Sequence, residues 1–386
     1  LFSAMETGPE EFNFPFKPYG IQVQFVKSLY DAIDSQKLAV FESPTGTGKS
    51  LSIICGSLTW LKSHENKLEE EFKHDQKRLE ELKQNLNSAD DWFTVQTSSY
   101  EELEKLQKRR VLFDLFKQKQ KVFKAYKDTS AKALEHFKNT PKDEEEGTSE
   151  DLCLLDEYHS DEESVPEENK PEEELDSVLV KIIYSSRTHS QMSQFIHEMK
   201  KTVFNNNVRL VSLASRQFTC INEHVKKLKN NTLMNERCTE LQKASTKCLM
   251  DNEESTTKRQ KTKVPRGCPF FNIPRIRGLQ NYILGNLGDV EDITKVGVKI
   301  GACPYYAMRF AIQDAEVIVV PYNTLLHKGT REACGISLKN SVVIIDEAHN
   351  LLDSISSIHS SHTFSQQLAH SYSQMEQFTL KYGSFL

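Results

Sequence analysis

The sequence predicts an α/β fold, a parallel β-sheet flanked by helices and interrupted by one charged and one cysteine-bearing insertion. Three observations carry this. Five short apolar runs, Leu38–Phe41, Leu179–Tyr184, Val208–Leu213, Val317–Val320 and Val342–Ile345, are β-branched and nearly continuous, as strands buried on both faces are. Helical patterns lie between them, at Gln22–Ile33, Lys49–Trp60 and Gln191–Lys200. A glycine-rich turn joins the first run to the second helix. Strands alternating with helices imply parallel pairing, which places ligands at the carboxyl ends of the strands.

The turn is Ser43-Pro44-Thr45-Gly46-Thr47-Gly48-Lys49-Ser50. A strand before it and a helix after it are the context a phosphate-binding loop requires. Glycines let backbone N–H groups approach phosphates, and a helix N-terminus favours negative charge. Lys49 would reach the β- and γ-phosphates of a nucleotide, and the Ser50 hydroxyl would ligate Mg²⁺. The usual first glycine is replaced here by Ser43, with Gly46 as an additional flexible point. The last apolar run ends in Asp346-Glu347-Ala348-His349. Such a strand delivers both acids to the sheet edge where the loop lies. Asp346 would hold Mg²⁺, and Glu347 would orient and deprotonate an attacking water. An acidic pair capping the next helix is the simpler alternative, but the phosphate loop argues for the catalytic one.

Two stretches interrupt the sheet pattern. From about residue 61 to 140 the chain is highly charged, with Leu68, Phe72, Leu79, Leu82 and Leu86, then Leu103, Leu106, Leu112, Leu115 and Phe116, at helical spacing. Two long helices in a coiled-coil-like hairpin are expected. Residues 141–177 hold 17 acids against 2 lysines and are expected to be disordered. The second interruption, 216–306, carries Cys220, Cys238, Cys248, Cys268 and Cys303 and the basic run Lys258-Arg259-Gln260-Lys261. The sheet domain is thus read as 1–60, 178–215 and 307–360, with 361–386 opening a further domain.

The net charge of −6 hides a division. Outside the acidic stretch the chain has a surplus of +9 (47 basic, 38 acidic), as a nucleic-acid binder would, although an ordinary solvated surface fits equally. No apolar run approaches the roughly 20 residues that span a bilayer, so no membrane partner is expected. The start lacks a secretory pattern, but at Leu1 rather than Met it leaves a preceding segment open. Without such a signal, the eight cysteines suggest reduced thiols or metal ligands. Cys220, Cys238, Cys268 and Cys303 stand 18, 30 and 35 positions apart with no C-x-x-C pair, a spacing that fits buried thiols better than a metal site.

Asp346-Glu347-Ala348-His349 resembles the motif of the DEAH-box helicases of superfamily two. Ile183-Tyr184-Ser185-Ser186-Arg187-Thr188-His189-Ser190-Gln191 resembles that family's motif Ia, and Phe14-Pro15-Phe16-Lys17-Pro18-Tyr19 with Gln22 its Q motif. Ala315–Asn323 is similar to the segment before the DEAH box in the xeroderma pigmentosum group D branch. Within that branch, the 134 positions between Ser50 and Tyr184 and the acidic Glu157–Glu163 look like the chromosome-loss type.

The resemblance implies a RecA-like first motor domain that uses ATP and Mg²⁺, with Lys49, Asp346, Glu347 and His349 catalytic. It implies that Gln22 reads adenine, and that Arg187, Thr188, His189 and Gln191 grip single-stranded DNA. It also implies a [4Fe–4S] cluster on Cys220, Cys238, Cys268 and Cys303, with Cys248 left out. The activity implied is a nuclear, 5′ to 3′ DNA helicase of genome maintenance and sister-chromatid cohesion, acting on single-stranded and forked DNA. The acidic insertion is expected to dock replication-fork or cohesion proteins around Tyr158, with Ser160 open to phosphorylation, and Lys258–Lys261 to serve nuclear import or DNA contact. The chain ends 37 positions after His349, without the second motor domain whose arginine is worth about 10³–10⁵ in rate in related enzymes. It is therefore expected to bind nucleotide, hydrolyse it slowly and not unwind. A non-enzymatic nucleotide-, DNA- and partner-binding module and an RNA helicase of the wider DEAH group are the alternatives.

Overall fold

The computed structural model describes residues 9, 11–44, 46–88, 96–139, 179–254 and 267–382. The acidic stretch 141–177, the run Lys258–Lys261 and Thr45 lie outside the described residues. At the centre is a parallel sheet of four strands, β1 (Lys181–Ser186), β2 (Leu210–Ser212), β3 (Val317–Pro321) and β4 (Ser341–Ile345), in the order β2-β3-β1-β4. Tyr184 of β1 faces Val319 on one side and Ile344 on the other.

Successive side chains leave a strand on opposite faces, so continuous apolar runs must be covered twice. On one face Ile182, Tyr184, Val317 and Val319 meet Ile54 and Leu58, together with Phe195 and Ile196. On the other, Ile183, Val211, Ile318 and Val320 meet Ile276, Leu279 and Ile283. Each such side chain, removed from water, contributes about 1.5–3 kcal/mol.

The predicted strand Leu38–Phe41 is the clear departure. The segment forms no strand, and Leu38 and Val40 are 97% and 91% exposed. The edge strand β4 is itself only half covered, with Val343 40% exposed. A β-prone run gains stability from packing on both faces, and none is on offer there.

Helix α1 (Gly20–Asp34) packs on α2 (Lys49–Ser88), which continues without a break for 40 residues, about 60 Å. The expected boundary at 60/61 therefore falls inside one helix. Nothing in the sequence stops it: after Trp60 the apolar positions Leu68, Phe72 and Leu79 keep helical spacing, and no Pro or Gly intervenes. The 306/307 boundary likewise falls inside the helix Pro304–Ala311. Helix α3 (Gln96–Asn139) returns antiparallel to α2, closing a seam of Leu68, Phe72, Leu112 and Phe116. Ion pairs line it: Glu69 to Lys117 at 2.6 Å, Asp75 to Arg109 at 2.6 Å and Glu102 to Arg78 at 2.6 Å. The charged insertion is thus a helical arm, and its return helix lies along the helix Ile273–Gly285.

The arm is fastened where β3 begins. Glu316, 8% exposed, accepts from Arg209 N at 2.7 Å and Lys62 Nζ at 2.9 Å, with the Arg209 guanidinium 3.4 Å away. Burial pushes its carboxyl up, and Arg209 and Lys62 more than reverse this, holding it below the usual range. Neighbouring Glu65 is pushed up to about 7 by burial and by Glu316.

Candidate active site

The phosphate loop is shaped by its glycines. Gly46 and Gly48 have φ of +83° and +75°, which side chains rarely adopt, and a Cβ on Gly48 would sit 2.6 Å from Gln22 Nε2. Gln22 is why that approach is so close. It is buried, its Nε2 donates to Thr47 O at 3.1 Å, and its Oε1 accepts from Tyr19 N at 3.0 Å. Both ends of the amide therefore hold the loop to the start of α1, with one N–H and one carbonyl lone pair not used by these two bonds. Ser43 Oγ and Thr47 Oγ1 lie 2.6 Å apart, Thr47 Oγ1 donates to Pro44 O at 2.9 Å, and Lys49 Nζ donates to Ser43 O at 3.0 Å. Ser50 lies in the first turn of α2.

At the end of β4, Asp346 is held from three directions. Its backbone N donates to Ser185 O at 2.9 Å, Tyr184 Oη donates to Oδ2 at 2.7 Å, and Tyr322 Oη donates to its carbonyl. Burial and the Asp346 charge keep both phenols protonated: Tyr322 is pushed up to about 12, and Tyr184 is raised further. Glu347 takes a left-handed conformation, φ 54°, which turns the chain sharply after the strand. No hydrogen bond or ion pair among the described residues joins the loop to Asp346 or Glu347. The two are joined through the core, where Ile53 and Ile54 share a cluster with Tyr184 and Ile344.

Motif Ia and the acidic motif meet directly. Glu347 Oε2 lies 3.3 Å from His349 Nδ1, and His349 Nε2 lies 2.8 Å from Asn350 Nδ2. Asn350 Oδ1 in turn accepts from Arg187 at 2.7 Å. A continuous path thus runs from the exposed Arg187 to the acid expected to activate water. Thr188 caps α4 (His189–Lys200), and Gln191 Oε1 accepts from Thr188 N, Thr188 Oγ1 and Ser186 Oγ at 3.2, 3.0 and 2.7 Å. These bonds fix the turn that projects Arg187 and Thr188. His189 instead stacks near Phe218, ring centroids 4.4 Å apart, and burial lowers its pKa.

The four expected cysteines converge. Cys220, Cys238, Cys268 and Cys303 line one small cavity with Val225, Leu241 and Phe271. They come from four elements: the residue after the helix Arg216–Thr219, the helix Asn231–Glu254, the turn at residue 268, and the cap of the helix Pro304–Ala311. Asn222 Nδ2 donates to Cys268 Sγ at 3.5 Å, and burial pushes the Cys303 thiol up to about 12. Among the described residues no three His, Cys, Asp or Glu side chains are close enough to hold a single metal ion. Thiols are the ligand type that iron–sulfur groups use, and these four line one cavity.

Tyr184, Tyr322 and Asn350 were not among the sequence candidates. Tyr184 and Asn350 stood inside or beside the motifs, but their partners lie 162 and 163 positions away.

Residues 184–368 match the DEAD_2 family. The chain is 38% identical over 413 residues to the ATP-dependent DNA helicase DDX11 of Danio rerio, covering 99% of this chain and 46% of that protein. It is 36% identical to the ATP-dependent DNA helicase chl-1 of Caenorhabditis elegans, covering 93% of this chain and 45% of that one. It spans a little under half the length of these relatives. Among solved structures, one described as truncated XPD covers 48% of this chain, which covers 45% of it, at 19% identity and a TM-score of 0.28, too slight a likeness to bear on the fold. Residues 184–368 thus form a DEAD_2 domain, which spans motif Ia and the acidic motif, and at 36–38% identity along most of its length the chain is similar to such helicases.

Proposed function

We propose that this chain is the ATP-binding motor part of a DNA helicase, in which DNA contact at motif Ia is transmitted to nucleotide hydrolysis. One observation carries the reading: the path Arg187–Asn350–His349–Glu347, which links a cation exposed to a nucleic-acid backbone with the general base. In this reading the loop N–H groups and Lys49 would hold the triphosphate, and Ser50 and Asp346 would hold Mg²⁺, which would supply charge neutralisation for phosphoryl transfer. Tyr184 holds the Asp346 carboxylate and Tyr322 its backbone carbonyl, which together fix the residue in place. Glu347 takes the proton of the attacking water, and His349 orients Glu347. Arg187 and Thr188 meet phosphates of a single strand without reading sequence.

The four-thiol cavity supports a structural [4Fe–4S] cluster on Cys220, Cys238, Cys268 and Cys303, which would lock helices that otherwise share only a small core. A nuclear role in genome maintenance and sister-chromatid cohesion, 5′ to 3′ movement, forked DNA substrates and partners docking on the acidic insertion rest on the resemblance to the chromosome-loss group. A second reading, a nucleotide- and DNA-binding module without turnover, draws on Lys49 being tied to Ser43 O and on the unpaired Leu38–Phe41.

ATP turnover by the purified chain, with and without single-stranded DNA and with Lys49→Ala as blank, separates the two. DNA-stimulated turnover lost in Lys49→Ala supports the motor. Turnover no higher than the blank, with nucleotide still bound, supports the binding module.

A further inference from the structure

We propose that the exposed basic face of α3 binds the phosphate backbone of duplex DNA, at a site separate from motif Ia. From Lys105 to Tyr126 the helix carries eight Lys or Arg and one carboxylate, Asp114. Its partner in the arm is an internal control: from Lys62 to Lys83, α2 carries six Lys or Arg against seven acids. A surface needing only solubility mixes its signs, as α2 does. The cations at the seam are matched, Lys117 by Glu69 and Arg109 by Asp75. Arg110, Lys121 and Lys124 are all exposed, and none has an ion-pair partner among the described residues. At 100° per residue these three fall within about 60° of one another, along about 21 Å of helix axis. Asp114 stands beside this row and offsets one charge.

The chemistry of the row selects its ligand. Duplex DNA carries one negative charge per about 1.7 Å of axis, so a straight cationic row of this length meets several phosphates. Surfaces for single strands interleave aromatic side chains that stack on bases. Here Phe113 and Phe116 face the seam with α2, and Phe123 lies under the Arg209 guanidinium, so the row offers only charge. Its location separates it from motif Ia. Lys124 borders a cavity with Lys181 and Glu316, at the amino ends of the strands. Arg187 follows the carboxyl end of β1, whose six residues span about 20 Å. The two basic regions lie at opposite ends of the sheet and hold different stretches of DNA. The proposal rests on the helicase reading only for the choice of nucleic acid as the polyanion.

The test is fluorescence anisotropy of the full chain with a 20-base-pair blunt duplex and a single-stranded oligonucleotide, across a salt series. Each lost phosphate contact lowers the log–log salt slope by about 0.9. The triple variant Arg110→Ala, Lys121→Ala, Lys124→Ala should therefore lower the duplex slope by about 2.7 and leave the single-strand slope nearly unchanged. Alanine at exposed helix positions preserves the helix, which far-ultraviolet circular dichroism checks. Arg187→Ala should do the reverse, weakening the single strand and sparing the duplex. An unchanged duplex slope in the triple variant overturns the proposal, as does a loss confined to polyglutamate, which would make the surface one for acidic protein. If the duplex slope moves while Arg187→Ala and Lys49→Ala change nothing, the arm stands and the motor reading fails instead.

Discussion

Replacing Asn350 by alanine cuts the path between Arg187 and Glu347 at its middle. Two hydrogen bonds vanish, from Arg187 to Oδ1 at 2.7 Å and between Nδ2 and His349 Nε2 at 2.8 Å. Arg187 is exposed and the His349 side chain is 70% exposed, so water replaces part of each bond. The net coupling at stake is then about 0.5–1.5 kcal/mol, a factor of about 2 to 12 between nucleotide and DNA affinities. The assay is the affinity of a slowly hydrolysed ATP analogue with and without saturating single-stranded DNA, and the reverse titration. Linkage requires the two titrations to give the same factor. The wild-type chain should show that factor and Asn350→Ala should bring it close to one, with each separate affinity changed less than about twofold. Asn350→Asp, which keeps an acceptor for Arg187 and loses the donor toward His349, should fall between. Coupling that survives Asn350→Ala intact, or its absence in the wild type, would refute the relay.

Gly48→Ala should weaken nucleotide binding by about 2–3 kcal/mol, from the left-handed backbone and a Cβ placed 2.6 Å from Gln22 Nε2, as read by titration with a fluorescent nucleotide. Glu316→Ala leaves Lys62 and Arg209 without their shared buried acceptor and should cost about 3–5 kcal/mol in urea unfolding, whereas a loss under about 1 kcal/mol would mean water solvates both. Glu65 binds its proton in the native chain up to about pH 7 but releases it near 4.5 when unfolded, so its contribution to stability falls as pH rises through that window. Glu65→Gln should flatten stability between pH 5 and 8 and raise it at pH 8, and an unaltered pH profile would assign the slope to other groups. Anaerobic reconstitution with iron and sulfide should give about four irons per chain and visible absorption, lost in Cys303→Ser and retained in Cys334→Ser; equal loading of both variants would dismiss the four-thiol site.

The motifs were legible because each is local. Val342–Ile345 runs straight into Asp346 and Glu347, and Gly46 and Gly48 stand just before Lys49, each pattern within ten residues. Four of the five predicted strands formed, shifted at their ends by up to two residues, because β1, β2, β3 and β4 have neighbours and cover. Leu38–Phe41 has the same composition but did not form, since a strand's stability lies in its partners. The spacing of the cysteines argued against a shared site, yet the four line one cavity, because segments remote in sequence fold against each other there.

Sequence alone therefore determined the parallel α/β class, the glycine-rich turn before α2, the acidic pair at the end of β4 and the helical character of the arm. Those properties follow from residue type and short-range periodicity. Only the tertiary structure decided that α2 runs unbroken from Lys49 into the arm, that Tyr184 and Tyr322 hold Asp346, and that Asn350 joins Arg187 to the acidic motif. The physical reason is that a hydrogen bond or a buried ion pair depends on which distant segments the packed core brings within about 3 Å, and no short window of sequence contains both partners.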